Sequence, residues 1–312
     1  MSPTAARRKA TRPNDVAEQR IEVRKTYKLY IGGAFPRSES GRTYEVSDSR
    51  GRFLANAAMG SRKDARDAVV AARGALGKWA AATAYNRGQV LYRVAELMEG
   101  RRAQFVAEVA AAEGLTPDRS DKVVSQAIDR WVWYAGWSDK LAQVLGGVNP
   151  VAGPYFNISA PEPTGVVAAL APQRSSLLGL VSVLAPIVVS GNTAVVLTSE
   201  HRPLPAITLS EVLATSDVPA GVINLITGRT AEVAPWLASH QDVNAMDLAG
   251  AADVDGLAWA DLERAAAENL KRVLRPAGND ADAIEPDWSP TPDLSRMKAY
   301  LETKTVWHPK GH

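Results

Sequence analysis

The stretch from residue 165 to residue 200 constrains the fold more strongly than any other part of the sequence. It contains two short apolar runs rich in β-branched residues, Val166–Leu170 and 194–197, which are typical of buried strands. Between them, apolar residues recur at near-helical spacing over 177–186, and a Ser-Gly-Asn turn follows at 190–192. Two buried strands joined by a crossover helix form a βαβ unit, so the sequence predicts an α/β fold with a parallel sheet.

The composition is that of an ordinary globular protein. The 312 residues are 46% hydrophobic and 22% charged, enough chain for one large domain or two ordinary ones. A net charge of +2 creates no global field that would attract nucleic acid, and no apolar run approaches the ~18 residues of a membrane span. We therefore expect a cytoplasmic protein with no nucleic-acid or membrane partner, and a basic, disordered tail over residues 1–25.

The lack of cysteine excludes several kinds of chemistry. Without cysteine, the chain can form no disulfide and no thiolate-ligated metal site, and it has no cysteine nucleophile. The four histidines are dispersed and no HExxH motif occurs, which disfavours a metal site of any kind.

Hydrophobic periodicity predicts helices on both sides of the βαβ unit. Ser61 is expected to cap the first helix, and Gly114 is expected to end the third. The predicted helices cover residues 61–81, 84–99, 103–113 and 120–145 before the unit, and 203–218, 231–239 and 257–270 after it. Strands are predicted over 27–33 and 43–46, paired as a hairpin, and over 222–226, 243–248 and 270–274.

An aromatic cluster lies in the fourth predicted helix. Its members could form a ligand cage or a stacking platform for nucleic acid, but helical spacing with few basic neighbours favours packing against the sheet. The cluster consists of Trp131, Trp133, Tyr134 and Trp137. We expect these rings to belong to the core.

The βαβ stretch also resembles the cofactor-binding core of the aldehyde dehydrogenase superfamily. The family pattern reads roughly GVVxxIxPWNFPL…APALxxGNTVVxKPSE, and it aligns from Gly165 to Glu200 without a gap. Residues 297–309, MKAYLETKTVWHP, resemble the C-terminal strand of the family, YxExKTVW. The resemblance implies a doubly wound, parallel Rossmann-like sheet with an N-terminal helical layer, a β oligomerisation hairpin and a C-terminal strand.

The same resemblance implies a division into domains. Residues 26–145 and 166–276 correspond to the NAD-binding, Rossmann-like domain. Residues 146–165 and 297–312 correspond to the oligomerisation arm. A Pro- and Asp-rich linker over 277–296, too polar to be core, stands where the family has its catalytic domain.

The catalytic positions of the family are not preserved. An aldehyde dehydrogenase needs a thiolate nucleophile, donors for the oxyanion, a carboxylate base and a bound nicotinamide. The chain has no cysteine, Arg174 stands at the oxyanion Asn, and Pro276 stands at the base Glu. The resemblance therefore implies a family member without catalytic residues.

The cofactor positions are preserved only in part. The resemblance assigns the remnant of a cofactor site to Pro172, Arg174, Glu200, Gly228 and Gly250. Glu200 matches the carboxylate that binds the adenosine ribose in the family. A leucine, however, replaces the cofactor-contacting lysine, and an aspartate stands where a phosphate-side glycine would be. We expect no NAD(P) binding, or weak binding.

The C-terminal strand is the predicted contact with a partner. In the family it pairs with the catalytic-domain sheet of a neighbouring subunit, and without that domain the chain offers it no partner of its own. The predicted interface residues are Tyr300, Leu301, Thr303, Thr305, Val306 and Trp307. An unpaired strand is an exposed edge, so we expect it to bind a full-length aldehyde dehydrogenase subunit or to form a homo-oligomer.

Three classes of function remain open from the sequence. The chain could be a non-catalytic structural or regulatory subunit of a full-length aldehyde dehydrogenase. It could be an NAD(P)-binding oxidoreductase with residual activity, or a decayed gene product with no role. Cofactor binding separates the second class from the first.

Overall fold

The computed structural model describes residues 25–252, 254–276 and 285–311. The predicted tail over residues 1–25 lies outside them except for Lys25, as does the first part of the predicted linker. The described residues contain eleven strands: β1 (Thr26–Tyr27), β2 (Thr43–Ser47), β3 (Phe53–Ala58), β4 (Gly147–Asn149), β5 (Tyr155–Pro163), β6 (Val166–Leu170), β7 (Thr193–Leu197), β8 (Ile223–Ile226), β9 (Ala245–Asp247), β10 (Arg272–Leu274) and β11 (Leu301–Pro309). They also contain ten α-helices: α1 (Arg62–Ala81), α2 (Ala84–Gly100), α3 (Arg102–Glu113), α4 (Pro117–Trp137), α5 (Leu141–Leu145), α6 (Leu178–Val189), α7 (Leu204–Leu213), α8 (Thr230–Ser239), α9 (Trp259–Ala267) and α10 (Ser295–Ala299).

A five-stranded sheet forms the centre of the molecule. Its strand order is β10-β9-β6-β7-β8, and every neighbouring pair is parallel. From β6 the chain proceeds to β7 and β8 on one side, then crosses to β9 and β10 on the other. This reversal is the doubly wound arrangement, so the predicted α/β fold is confirmed.

Helices cover both faces of this sheet, which explains why its central strands are apolar throughout. On β6, Val167 and Ala169 belong to the same core cluster as residues of α2, α3, α4, α6 and α7. The alternate residues Val166, Ala168 and Leu170 pack with α1, α8 and α9. Side chains alternate between the faces of a strand, so a strand covered on both faces needs an unbroken apolar run.

The helix ends agree with the sequence where local signals define them. Ser61 forms a capping box with Asp64: its hydroxyl accepts from the Asp64 N–H, and the Asp64 carboxylate accepts from the Ser61 N–H. Gly114 ends α3, as predicted. The helix predicted over 120–145 is interrupted, because the Ser138 and Lys140 N–H groups bond three residues back and tighten the chain.

Helix α6 continues beyond the end that the sequence predicts. The sequence predicts its end at Pro186, yet it runs to Val189 with the proline inside it. Every residue of α6 is buried. Packing on all sides offsets the backbone hydrogen bond that Pro186 cannot donate.

The small N-terminal sheet differs from the predicted hairpin. Strand β2 pairs antiparallel with β3, and β1 pairs parallel with β3, so β1 and β2 are not neighbours. Strand β3 was not predicted, since its sequence, FLANAA, contains no β-branched residue. Tyr30 instead bridges to Leu225 at the edge of the central sheet.

Strands β4, β5 and β11 form a separate antiparallel sheet, which we call the arm. Its order is β11-β5-β4, and β11 pairs with β5 over its full length, from Leu301 opposite Pro163 to Pro309 opposite Tyr155. The expectation that the C-terminal strand has no partner in its own chain is therefore wrong, because β5 supplies one. In the part of the chain that the structure describes, the outer edge of β11 pairs with no strand.

The described part of the predicted linker packs against the body of the protein. Trp288 is only 8% exposed and joins the core that contains α4 and α6. Met297 and Tyr300 are buried in the same core. The prediction that the Pro- and Asp-rich linker over 277–296 is too polar to be core is thus corrected for residues 285–296, because one tryptophan brings enough apolar surface to anchor the segment.

The aromatic cluster is part of the core, as predicted. Trp131 and Tyr134 are fully buried, and Trp133 and Trp137 pack against the core from its edge. Among the described helices, none combines the length and apolar content required to cross a membrane.

Candidate functional site

The loops that follow β6, β7 and β8 meet at the carboxyl end of the sheet. Gln173, after β6, joins the first two loops: its main-chain carbonyl accepts from the Ser199 hydroxyl, and its side-chain oxygen accepts from the Glu200 N–H at 2.9 Å. Pro172, beside it, is buried. Doubly wound sheets bind ligands at the carboxyl ends of their strands, and Pro172 and Glu200 lie in these loops.

Glu200 is held by the loop after β8. One carboxylate oxygen accepts from the Arg229 guanidinium, and the other accepts from the Thr230 N–H at 3.2 Å. The Glu200 side chain is 14% exposed, at the wall of a cleft of about 360 Å³. Asp255 and His201 also line this cleft. Glu200 is therefore an engaged, ion-paired carboxylate.

Gly228 and Gly250 are required by close packing. A Cβ on Gly250 would lie 2.0 Å from the Ala171 carbonyl oxygen, at the end of β6. Gly228 has φ of +142°, and a Cβ there would lie 3.0 Å from the Gly60 nitrogen. Both positions exclude a side chain because backbone lies against them. Their glycines are explained without a ligand.

A dinucleotide does not fit these residues well. Leu197, at the position of the family's lysine, is buried in the core and brings no charge to the phosphates. Both oxygens of Glu200 are engaged by Arg229 and Thr230, so a ribose hydroxyl would have to share them with these donors. Glu232 and Asp255 add two more carboxylates to the cleft, which would repel a pyrophosphate.

Arg174 lies where two carboxylates reach the turn that precedes α6. The Arg174 N–H donates to Glu285 Oε2 at 2.7 Å, and the Ser175 N–H donates to Glu285 Oε1 at 2.9 Å. The Ser176 N–H and hydroxyl both donate to Glu113 Oε1 at 2.7 Å. Glu285 and Glu113 thus accept hydrogen bonds from the main-chain N–H groups of residues 174–176, at the position that resembles the family's oxyanion site.

Burial raises the pKa of the Glu113 carboxyl above its ordinary value, and the neighbouring Glu285 carboxylate adds to the rise. The hydrogen bonds from Ser176 and the charge of Arg202 oppose it. A cleft of about 410 Å³ opens beside the two carboxylates.

The remaining catalytic positions carry no usable group. Pro276 is buried and has no titratable side chain. In the described part of the chain, no cluster of histidine, aspartate or glutamate is arranged to hold a metal ion.

Comparison with known proteins identifies the family. The sequence model of the Aldehyde dehydrogenase family matches residues 35–287. The chain belongs to the aldehyde dehydrogenase family. It is 31% identical over 268 residues to a putative aldehyde dehydrogenase, DhaS, of Bacillus subtilis, a match that covers 84% of this chain and 52% of that protein. It is 32% identical over 274 residues to aldehyde dehydrogenase family 2 member B4, mitochondrial, of Arabidopsis thaliana, covering 86% of this chain and 50% of that protein.

Solved structures of the family share the fold. An aldehyde dehydrogenase from Bacillus cereus aligns with a TM-score of 0.74 at 25% identity, covering 81% of this chain and 51% of that one. HpcC from Thermus thermophilus aligns with a TM-score of 0.75 at 27% identity, covering 81% and 48%. A betaine aldehyde dehydrogenase from Staphylococcus aureus, solved in complex with NAD+, aligns equally well. The chain spans about half the length of the family members that it matches.

The arm has the most exposed apolar surface of the described chain. Val148, Ile158 and Val306 lie opposite one another across its three strands, and they are 70%, 45% and 47% exposed. On the other face, the rings of Trp307 and Tyr155 meet edge to face with centroids 5.9 Å apart. One face therefore presents a continuous apolar row.

The predicted interface residues divide between this arm and the core. Thr303, Thr305, Val306 and Trp307 are exposed on β11, and Leu301 is partly buried against the body. Tyr300 precedes the strand and is 1% exposed, with its hydroxyl donating to Asp247 at 2.6 Å. The interface role predicted for Tyr300 is therefore wrong, because its side chain is enclosed within its own chain.

Sequence reasoning did not single out Glu113, Arg229 or Glu285 as members of the site. Glu285 lies 111 residues from Arg174, and Glu113 lies 63 residues from Ser176. No local pattern reports such a contact. The sequence offers one signal for Glu285: it lies three residues before Trp288, a large apolar side chain within the segment predicted to be a polar linker.

Proposed function

We propose that this chain is a non-catalytic subunit, structural or regulatory, that docks through its arm onto a full-length aldehyde dehydrogenase. The apolar row of Val148, Ile158 and Val306 is the observation that carries the proposal. The exposed apolar patch of a soluble monomer is usually an interaction site. Family membership supplies the class of partner.

The distribution of apolar surface supports the arm as the docking site. Six of the thirteen large apolar side chains exposed among the described residues belong to the arm: Val148, Tyr155, Phe156, Ile158, Val306 and Trp307. The outer edge of β11 also offers unpaired N–H and C=O groups to an added strand. Apolar anchors beside a free strand edge are what docking by β-augmentation requires.

The chemistry of the site supports a non-catalytic role. The chain has no cysteine nucleophile, and the amides of Arg174 and Ser175 already bind Glu285. Pro276 cannot serve as a base. A subunit that binds an active relative needs none of these groups.

The proposal is tested by co-expressing the chain with a full-length aldehyde dehydrogenase of the same genome, followed by size-exclusion chromatography with light scattering. We expect a mixed oligomer that Val306→Lys abolishes, because a charge would be buried at the interface. Val70→Lys is the matched control, since Val70 is 62% exposed on α1, away from the arm. Point variants are preferable to deletion of residues 297–312, which would also remove the buried Met297 and Tyr300.

Two outcomes would contradict the subunit proposal. A monomer that ignores the full-length protein would exclude docking through the arm. A homo-oligomer that is also disrupted by Val306→Lys, and that excludes the full-length protein, would make a second copy of this chain the partner.

An NAD(P)-binding protein with residual oxidoreductase activity is the second candidate. The specific observation in its favour is that Glu200 is retained at the wall of a cleft of about 360 Å³. A ribose hydroxyl would have to share the Glu200 carboxylate with Arg229 and Thr230. Calorimetric titration with NAD+ and NADP+ tests it: saturable binding that is lost in Glu200→Gln would favour this candidate, and absence of heat would exclude it.

A further inference from the structure

Residues 285–293, which we call the strap, lie across α4 and α6. The strap is held largely by its main-chain carbonyls. Arg130 donates to the carbonyls of Trp288 and Pro290 at 2.8 and 2.9 Å, and Gln126 donates to the carbonyl of Ser289 at 3.3 Å. The buried Trp288 ring anchors the middle of the strap. The carbonyl contacts made by Arg130 and Gln126 do not involve Glu285, so they can persist if Glu285 moves.

Glu285, at the start of the strap, makes a contact of a different kind. Its two carboxylate oxygens each accept one N–H from consecutive residues, Arg174 at 2.7 Å and Ser175 at 2.9 Å. Consecutive N–H groups that converge on one anion form a concave anion-binding site. Trp288 Nε1 donates to the same carboxylate at 3.2 Å. The carboxylate is thus bound as a ligand would be.

Other features favour exchange of this carboxylate. The adjoining cleft of about 410 Å³ is lined by Arg174, Arg202 and Trp288 as well as by Glu285, so a molecule from solvent can reach the contact. Glu113 lies beside it, and the neighbouring Glu285 carboxylate contributes to the raised pKa of Glu113. The Glu285 contact is therefore accessible from solvent, and a second carboxylate lies close to it.

We propose that the N–H groups of Arg174 and Ser175 form an anion-binding site that Glu285 occupies as an intramolecular competitor, and that a free carboxylate or phosphate group displaces it. The site is separate from the arm, so the inference does not depend on the proposed subunit role. A tethered ligand has an effective concentration in the millimolar range, which an external anion must exceed. Removal of the Glu285 charge frees the site.

The test follows the backbone amide signals of Arg174 and Ser175 by NMR while inorganic phosphate, or separately acetate, is added at constant ionic strength. We expect the Glu285→Gln variant to bind phosphate about tenfold more tightly than the wild type, or better. Binding of both probes indicates a general anion site, whereas binding of one alone assigns the site to that chemistry. Asp287→Asn is the matched control, because it removes the same charge from the strap. Among its described hydrogen bonds, Asp287 bonds only to Ser289.

Two results would overturn the inference. If Glu285→Gln shows no saturable shift with either probe, the amides form a structural contact and no exchangeable site. If it binds with wild-type affinity, Glu285 is no competitor. Should Glu285→Gln fail to fold, Glu285→Asp keeps the charge but shortens the side chain by one methylene, and the same gain in affinity is expected from it.

Discussion

Asp247 is fully buried at the end of β9, and its carboxylate accepts three hydrogen bonds. Oδ1 accepts from the Ala249 N–H at 2.9 Å, while Oδ2 accepts from the Tyr300 hydroxyl at 2.6 Å and from the Arg296 guanidinium. Through these contacts one side chain joins the central sheet to the segment that leads into β11. A buried ion pair of this kind is costly to break, because removal of one partner leaves the other uncompensated.

We therefore expect Asp247→Asn to reduce the free energy of unfolding by about 3–5 kcal/mol. Tyr300→Phe, which removes a single hydrogen bond, should cost about 1–2 kcal/mol. Urea denaturation of the two variants checks both values. Equal and small losses would show that the Arg296–Asp247 pair contributes little beyond the tyrosine contact.

Glu108 is a second buried carboxylate, between α3, α7 and the N-terminal strand. It accepts from Thr208 and Tyr27, and its Oε2 has no hydrogen-bond partner among the described residues. Burial raises the pKa of Glu108 above its ordinary value of 4.5, against smaller lowering effects of Thr208, Gln104, Lys25 and Tyr27.

A raised pKa in the folded state means that Glu108 contributes stability that is fully present below pH 4.5 and is lost as the pH rises through the folded pKa. Glu108→Gln removes that dependence. We expect the variant to gain stability relative to wild type as the pH rises above 4.5, in thermal unfolding followed across that range. Glu96→Gln, at an exposed glutamate of α2, is the control and should follow the wild type. A variant that loses stability equally at every pH would contradict the interpretation.

At the scale of secondary-structure elements, Arg87 connects the ends of two helices. It donates to the carbonyls of Ala80 and Ala82 at the end of α1, at 3.4 and 2.6 Å, and to the Val189 carbonyl at the end of α6, at 3.2 Å. A cation at a helix C-terminus satisfies free carbonyls and interacts favourably with the helix dipole. Arg87 serves two helices from one position on α2.

We expect Arg87→Met to lower the free energy of unfolding by about 1–2 kcal/mol, because both helix ends lose their cation. Arg93→Met is the matched control on the same helix. Arg93 makes an exposed ion pair with Glu96 at 3.1 Å, so its loss should cost about 0.5 kcal/mol or less. Chemical denaturation of the two variants distinguishes them, and similar losses would argue against a special role for Arg87.

The elements that the sequence predicts well are those whose signals are local. Strand β6 was predicted with its observed bounds because both of its faces are buried, which leaves an unbroken apolar run. The first helix was predicted from its cap, Ser61. The pairing of β11 with β5 joins residues more than a hundred positions apart, and no periodicity reports which strand lies beside which.

The site was predictable in part for the same reason. The resemblance assigned Pro172, Glu200 and Gly250 to one site; in the structure Glu200 bonds to Gln173, next to Pro172, and Gly250 packs against Ala171. It did not predict that Arg229 and Glu285 would occupy the polar groups of the site, because both contacts connect separate loops. The sequence shows which of the family's functional groups are replaced in this chain. Only the structure shows which side chains of this chain contact those positions.

At the scale of the whole molecule, two tryptophans near the C-terminus have opposite environments. Trp288 is 8% exposed and packs in the main core, where the Arg296 guanidinium lies 4.9 Å from its ring centre. Trp307 is 59% exposed on the arm and touches Tyr155 at the surface. If the body determines stability and the arm determines docking, substitution of Trp288 should change the free energy of unfolding, and substitution of Trp307 should change assembly.

We expect Trp288→Ala to reduce the free energy of unfolding by about 3–5 kcal/mol, because it leaves a large cavity in the core. Trp307→Ser should leave that free energy within about 0.5 kcal/mol of wild type, as surface substitutions generally do, and should weaken assembly with the full-length partner. Urea denaturation and light scattering on both variants measure the two properties independently. A large loss of stability in Trp307→Ser would mean that the arm is part of the folding unit and that its exposed ring is not reserved for a partner. The division of duties then fails at that residue, and the apolar row of Val148, Ile158 and Val306 would have to carry the docking alone.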